Sequence, residues 1–444
     1  MSMSASSYRK YLFGALSLVY LQPFVQGVVM TVAAKDVMRE MDLSPDRMGL
    51  LGSAYFYAYA PAMLFSGLIA AWIGPRLTMS IMFFASGVGG LLFCLSDTFA
   101  AACLGRALTG IGTSVTMTSS LTLFGRWYRG ESYSSICAVF FAMGGLGSFF
   151  GAGPLAMLNV AWGWRNVFLL IALATLSFAA LVFFTVRDWP PPGSERELGL
   201  QSTPRAPITL ALMRDGVRTM SRSRDFWKLA LWFAGMAGVY MSFSGLWAIP
   251  YLKDVHSLSD GEAGLAVSMF AFGFIVGNPV MSWLSENKIR SNRLTLCLAA
   301  LTALASFLPM FLLGRGLGYA WIIASILVLG FSINAPNVVV YSSARNLFGS
   351  RMTAVASGAM GGMCFVSGAV MQFVCGSLLA AGERLGWSLS DSYTLAFLPY
   401  LPCFLLAFLA ALTLSSVCDP GHISPMSWRM ILKEKPDAGE PREK

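Results

Sequence analysis

The chain has 444 residues, of which 56% are hydrophobic and 12% charged. A soluble domain carries about a quarter charged residues, so a water-soluble globular or disordered chain is excluded and the apolar surface must meet lipid. The net charge of +9 would suit a polyanion. However, lysine and arginine crowd the N-terminus, a central polar stretch and the tail, and thin out in alternate loops. That distribution is the positive-inside pattern; it reports topology and argues against nucleic acid as a partner.

Twelve apolar stretches of about 20 residues, long enough to cross about 30 Å of hydrocarbon, run in order 11–34, 46–71, 78–96, 99–125, 133–159, 165–186, 227–251, 260–285, 294–314, 318–343, 352–380 and 392–417. Six precede the longest polar stretch and six follow it. The expected organisation is a first bundle over 1–186, a linker over 187–225 with a short helix near 208–221, a second bundle over 226–418 and a tail over 419–444. The first stretch is too long for a signal h-region and reads as an uncleaved helix. The chain is thus expected to cross the cell membrane, inner or plasma, many times with both termini cytoplasmic. Cys94, Cys103, Cys137, Cys297, Cys364, Cys375, Cys403 and Cys418 lie in or beside apolar segments without a C-x-x-C pair, and read as small buried hydrophobes.

The first span carries Gln22 and Gln26, one turn apart around Pro23. In hydrocarbon such amides need partners, either another helix or a polar cavity. The second span begins at Ser44-Pro45, an N-cap with proline in the first turn, and presents Tyr55 and Tyr59 one turn apart. In the fourth span Arg106 lies inside apolar sequence, where insertion costs about 2.5–3.5 kcal/mol. Arg106, Gly110 and Thr113 share a helical face, so the arginine either ties helices together or lines a cavity. The fifth span is rich in glycine, which lets helices approach closely. In the second half, Leu258-Ser259 to Gly264-Leu265 repeats Leu43-Ser44 to Gly49-Leu50 in register, with Ser259 and Glu262 forming a capping box. Tyr240 lies in the seventh span; Asn334, Asn337 and Tyr341 form a polar stripe on the tenth, and Gln372 lies in the eleventh.

Gly67 to Arg76 resembles the signature loop of the major facilitator superfamily, G-x-L-a-D-r-x-G-r-[RK]. Gly67, Ala70, Gly74 and Arg76 match or nearly match, while Ala71 stands in place of the aspartate. The second copy keeps an acid, Glu286, ahead of Lys288, Arg290 and Arg293. Arg106 to Gly112 is similar to the family's second motif, R-x-x-q-G-x-g. The resemblance implies an all-α integral membrane fold of twelve helices in two six-helix bundles related by internal repeat, a substrate site near the midplane, and alternating access. It also implies that Gly67, Gly74, Arg76, Glu286 and Arg290 form the latch between halves. Gln22, Gln26, Tyr59, Arg106, Asn334, Asn337, Tyr341 and Gln372 are then the candidate cavity residues. No carboxylate or histidine lies deep in a span, which points to a facilitator or exchanger with Arg106 facing an anionic solute. The expected function is secondary or facilitative transport of a small organic anion by a monomer without metal or cofactor. Efflux of lipophilic compounds and a transporter-like solute receptor are the alternatives; no nucleophile constellation or nucleotide loop suggests an enzyme.

Overall fold

Hydrocarbon offers no partner to a backbone N–H or carbonyl, so each crossing has to bond within itself. The computed structural model is accordingly helical, with no strand among its described residues, 4–128, 131–191, 218–313, 316–334 and 336–415. The first half comprises α1 (Ala5–Glu40), α2 (Pro45–Ile73), α3 (Pro75–Cys94), α4 (Phe99–Thr113), α5 (Thr116–Trp127), α6 (Glu131–Trp162) and α7 (Trp164–Thr185). The second comprises α8 (Arg224–Ser242), α9 (Ala248–His256), α10 (Asp260–Trp283), α11 (Asn292–Leu313), α12 (Tyr319–Asn334), α13 (Asn337–Arg384), α14 (Leu389–Phe397) and α15 (Tyr400–Leu412). Most of the linker and the tail lie outside the described residues, as does most of the short helix expected near 208–221, of which 218–221 is helical.

Among the described residues, eleven helices are long and apolar enough to cross a bilayer. The twelfth crossing is α4 followed by α5, broken at Ser114 and Val115. Two hydroxyls back-bond at the break. Ser114 Oγ donates to the Ile111 carbonyl at 2.7 Å and Thr116 Oγ1 to the Thr113 carbonyl at 2.7 Å, and such side-chain back-bonding competes with the helical ladder. The tenth crossing breaks in the same manner between α12 and α13, where Pro336 supplies no N–H and stands as the N-cap of α13. A π-helical turn, Phe243–Trp247, joins α8 to α9, and a second, Leu284–Ile289, continues α10.

Caps fall where the sequence places them. Ser44 precedes Pro45 as N-cap without a side-chain bond, and the Ser259–Glu262 capping box is formed. The internal repeat extends to packing. A Cβ at Gly110 of α4 would overlap the Tyr55 carbonyl of α2, and a Cβ at Gly330 of α12 would overlap the Phe270 carbonyl of α10. Corresponding pairs of helices in the two halves therefore lean on one another through corresponding glycines.

The halves meet chiefly through α2 against α13 and α6 against α10, with α1 against the first π turn and α9. These contacts gather at the end of the molecule opposite the termini. Thr31 Oγ1 accepts from the Ile249 N–H at 3.1 Å, and Ser53 Oγ donates to the Ala369 carbonyl at 2.6 Å. The Gly153 N–H donates to Ser268 Oγ at 2.8 Å, while Gly245 lets the π turn approach the Gly27 carbonyl. Lys35 and Asp254 close this end with an ion pair, and the Tyr393 hydroxyl donates to Asp254 at 2.9 Å. Among the described residues Cys94, Cys103, Cys137, Cys297, Cys364, Cys375 and Cys403 form no disulfide and none is exposed; Cys418 lies outside the described residues.

Candidate functional site

The breaks in the fourth and tenth crossings place two sets of polar side chains near mid-membrane, and the structure treats them differently. In the first half the set is consumed internally. Arg106 is 2% exposed; it donates through one terminal nitrogen to Gln26 Oε1 at 3.1 Å and through the other to the Gln26 carbonyl at 3.3 Å. Its guanidinium lies 4.8 Å from the Tyr55 ring centre and 6.0 Å from that of Phe93, where cation–π attraction offsets part of the desolvation. The Tyr55 hydroxyl in turn meets Thr113 Oγ1 at 2.9 Å. The face carrying Arg106, Gly110 and Thr113 is thus the seam between α4 and α2.

Gln22, one turn before Gln26, points to a third helix and donates to Thr175 Oγ1 on α7. The two amides therefore diverge within the first bundle and do not form one cavity-facing pair. Gln372 is also taken up: its Nε2 donates to the Met241 carbonyl at 2.7 Å, and its own carbonyl accepts from Trp247 Nε1 at 3.1 Å. Its Oε1 is buried without a partner where α13 crosses Gly52 of α2.

Four tyrosines, two on helices of each half, form a belt of rings packed on phenylalanines. Tyr20 of α1 stacks on Phe140 at 3.9 Å, and Tyr59 of α2 packs across the contact between the halves on Phe365 of α13 at 4.2 Å. Tyr240 of α8 stacks on Phe270 at 5.0 Å, and Tyr341 of α13 stands edge-on to Phe233 at 5.6 Å. Tyr240 meets Ser148 Oγ of α6 at 3.1 Å, a further contact between halves. Asn337, at the start of α13, is partly exposed; the side chain of Asn334 lies outside those described. The sequence reading named Tyr59, Asn337 and Tyr341 as cavity candidates and did not name Tyr20 or Ser148. Single tyrosines and serines in apolar sequence look like packing until the helices carrying them are known to face each other.

The signature loop is organised within its own half. Gly74 adopts φ +88°, a left-handed conformation suited to glycine, and turns the chain into α3. There the Arg76 N–H donates to Asp188 Oδ1 at 3.0 Å, and Arg76 Nε donates to the Phe183 carbonyl at 2.9 Å. Asp188 also pairs with Arg126 at 3.6 Å. An acid just beyond α7 thus serves the turn whose own aspartate position holds Ala71. Asp188 opens the linker in the sequence, and nothing there ties it to the loop. Gly67 faces Thr118, Arg290 is exposed in the left-handed region at the end of the second π turn, and the side chain of Glu286 lies outside those described.

Comparison with known proteins agrees with this architecture. The chain is 24% identical to the probable sulfoacetate transporter SauU of Cupriavidus necator over 41% of this chain and 42% of that protein. It is 21% identical to a probable hexose phosphate transport protein of Chlamydia trachomatis over 86% of each chain. A probable L-galactonate transporter of Escherichia coli matches at 24% identity over 65% of this chain and 68% of its own length. Among solved structures, an inward-facing, occupied bacterial homologue of the human lysosomal transporter Spinster superposes with a TM-score of 0.69, at 18% identity over 91% of this chain and 97% of that one. A D-xylose–proton symporter superposes with a TM-score of 0.70, at 14% identity over 93% and 99%. These relatives are transporters and not enzymes, and the family model of the Major Facilitator Superfamily matches residues 12–373. The chain is a multi-pass membrane transporter that belongs to the major facilitator superfamily.

Proposed function

We propose that the chain carries a small organic anion across the cell membrane by alternating access, with the solute held at the tyrosine belt between the halves. The observation that carries this reading is hydroxyl-bearing rings at the contact between the halves: Tyr59 packs on Phe365 and the Tyr240 hydroxyl meets Ser148 Oγ, below the end that Lys35 and Asp254 close. Aromatic rings with hydroxyls and a nearby amide suit a compact polar body, offering apolar faces and hydrogen bonds together. The anionic charge is supported by the relatives, whose names specify sulfoacetate, hexose phosphate and L-galactonate. Tyr59, Tyr341 and Asn337 contact the solute in this account, joined by Tyr20 and Tyr240. Gln22, Gln26, Arg106 and Gln372 shape the bundles around it. The Gly74–Arg76 turn and Arg290 lie where the halves approach when the other end opens. Because lysine and arginine favour the segments at the termini end, that end is cytoplasmic. Both bundles come from one chain, so a monomer completes the route.

Among the described side chains no acid packs on the four tyrosines, and in this reading exchange needs no proton gradient. Counterflow of labelled glucuronate, glucose 6-phosphate or sulfoacetate in proteoliposomes without a pH gradient tests the reading. Saturable uptake driven by the same unlabelled anion is expected. Uptake confined to lipophilic cations, or strict dependence on a proton gradient, contradicts it.

A further inference from the structure

The second part of the tenth crossing carries a cation that the site described so far does not use. Asn337, Tyr341 and Arg345 recur every fourth residue of α13 and so share a face of the helix. The direction of that face is set by its neighbours. Tyr341 stands edge-on to Phe233 of α8 at 5.6 Å. Ser342 and Ser343, further round the helix, accept hydrogen bonds from Asn292 of α11 at 3.3 and 2.9 Å. The helix therefore turns its back on α11 and its tyrosine toward α8.

Arg345 is exposed and forms no ion pair, hydrogen bond or ring contact among the described residues. Other arginines at the same end are engaged: Arg126 with Asp188, and Arg76 with Asp188 and the Phe183 carbonyl. A side chain on an α-helix leans toward the helix N-terminus, which for α13 is the midplane break at Pro336. One turn before it on that face is Tyr341, within reach of a side chain inclined that way. Two turns of helix, about 12 Å, separate Arg345 from Asn337, a span that a six-carbon acid and its two contacting side chains fill.

We propose that Arg345 recognises the charged head of the solute, a carboxylate, sulfonate or phosphate, while Tyr341 and Asn337 take its polar body. This rests on the organic-anion reading and assigns the charge to the tenth crossing, since Arg106 of the fourth is sealed. A guanidinium presents paired donors that match such oxyanions bidentately.

The test is titration of the purified full-length protein in lipid nanodiscs with glucuronate, glucose 6-phosphate and sulfoacetate, with glucose as the uncharged comparator. Wild type binds at least one of the anions more tightly than glucose. Arg345→Gln weakens that anion about 10- to 100-fold, the worth of one charge-assisted contact, and leaves the melting temperature and glucose binding unchanged. Arg345→Lys restores most of the affinity. Anion binding by a folded Arg345→Gln within about twofold of wild type overturns the assignment while leaving the anion reading intact. Wild type that binds none of the anions more tightly than glucose overturns both.

Discussion

The fourth and tenth crossings are copies of one device, a broken helix leaning on a neighbour through a glycine, yet they spend their polar residues differently. In the fourth, Arg106 lies ahead of the break, inside the bundle, with Gln26 on its donors and Tyr55 over its face. In the tenth, Asn337, Tyr341 and Arg345 lie beyond the break on one face of α13, and Arg345 is left exposed. A duplicated scaffold leaves each copy free to fix its polar groups for rigidity or to keep them for a ligand. Position relative to the break, and the partners within reach, decide which.

Breaking the internal pin has the largest expected effect. Gln26→Leu leaves the Arg106 guanidinium without its side-chain oxygen in a site closed to water, a loss of about 1.5–3 kcal/mol, the worth of a hydrogen bond to a charged group, measured by thermal or denaturant unfolding. Adding Arg106→Met should recover much of that loss, because the buried charge then disappears with its partner. Gly110→Ala and Gly330→Ala test what the copies share: each drives a methyl group into a carbonyl and should cost about 1–3 kcal/mol, with similar losses in the two halves. Asp188→Ala removes the acceptor that caps α3 at the Arg76 N–H; a loss of about 1 kcal/mol is expected, with faster proteolysis at the Gly74 turn. The smallest effect is at the closing end. Lys35 and Asp254 are 39% and 16% exposed, so solvent screens the pair and Lys35→Ala should shift the closed population by under about 1 kcal/mol, read as a distance distribution between spin labels at Arg39 and Asp260.

The fold was legible in the sequence because hydrocarbon enforces it: apolar length, the Ser44 and Ser259 caps and the repeated loop mark the crossings before any coordinates are known. The breaks at Ser114 and Pro336 were not anticipated, since back-bonding hydroxyls and one proline differ little from those that helices tolerate elsewhere in this chain. The site was legible only in part. Tyr59 packs across the interface on Phe365, while Asn337 and Tyr341 follow the break on α13. Gln22, Gln26 and Arg106 share the polarity of cavity residues but find partners inside one bundle, and nothing in the sequence reports that Gln26 stands opposite Arg106. Asp188 shows the converse, an acid far along the chain that completes a turn lacking its own.

The most direct test of the division between these two crossings is a side-by-side measurement of anion affinity in nanodiscs for Gln26→Leu/Arg106→Met and for Arg345→Gln. The double variant, folded, should bind the anion within about threefold of wild type, whereas Arg345→Gln should lose it. A folded double variant that no longer binds, beside an Arg345→Gln protein that does, would place the recognising charge on the fourth crossing and contradict the account.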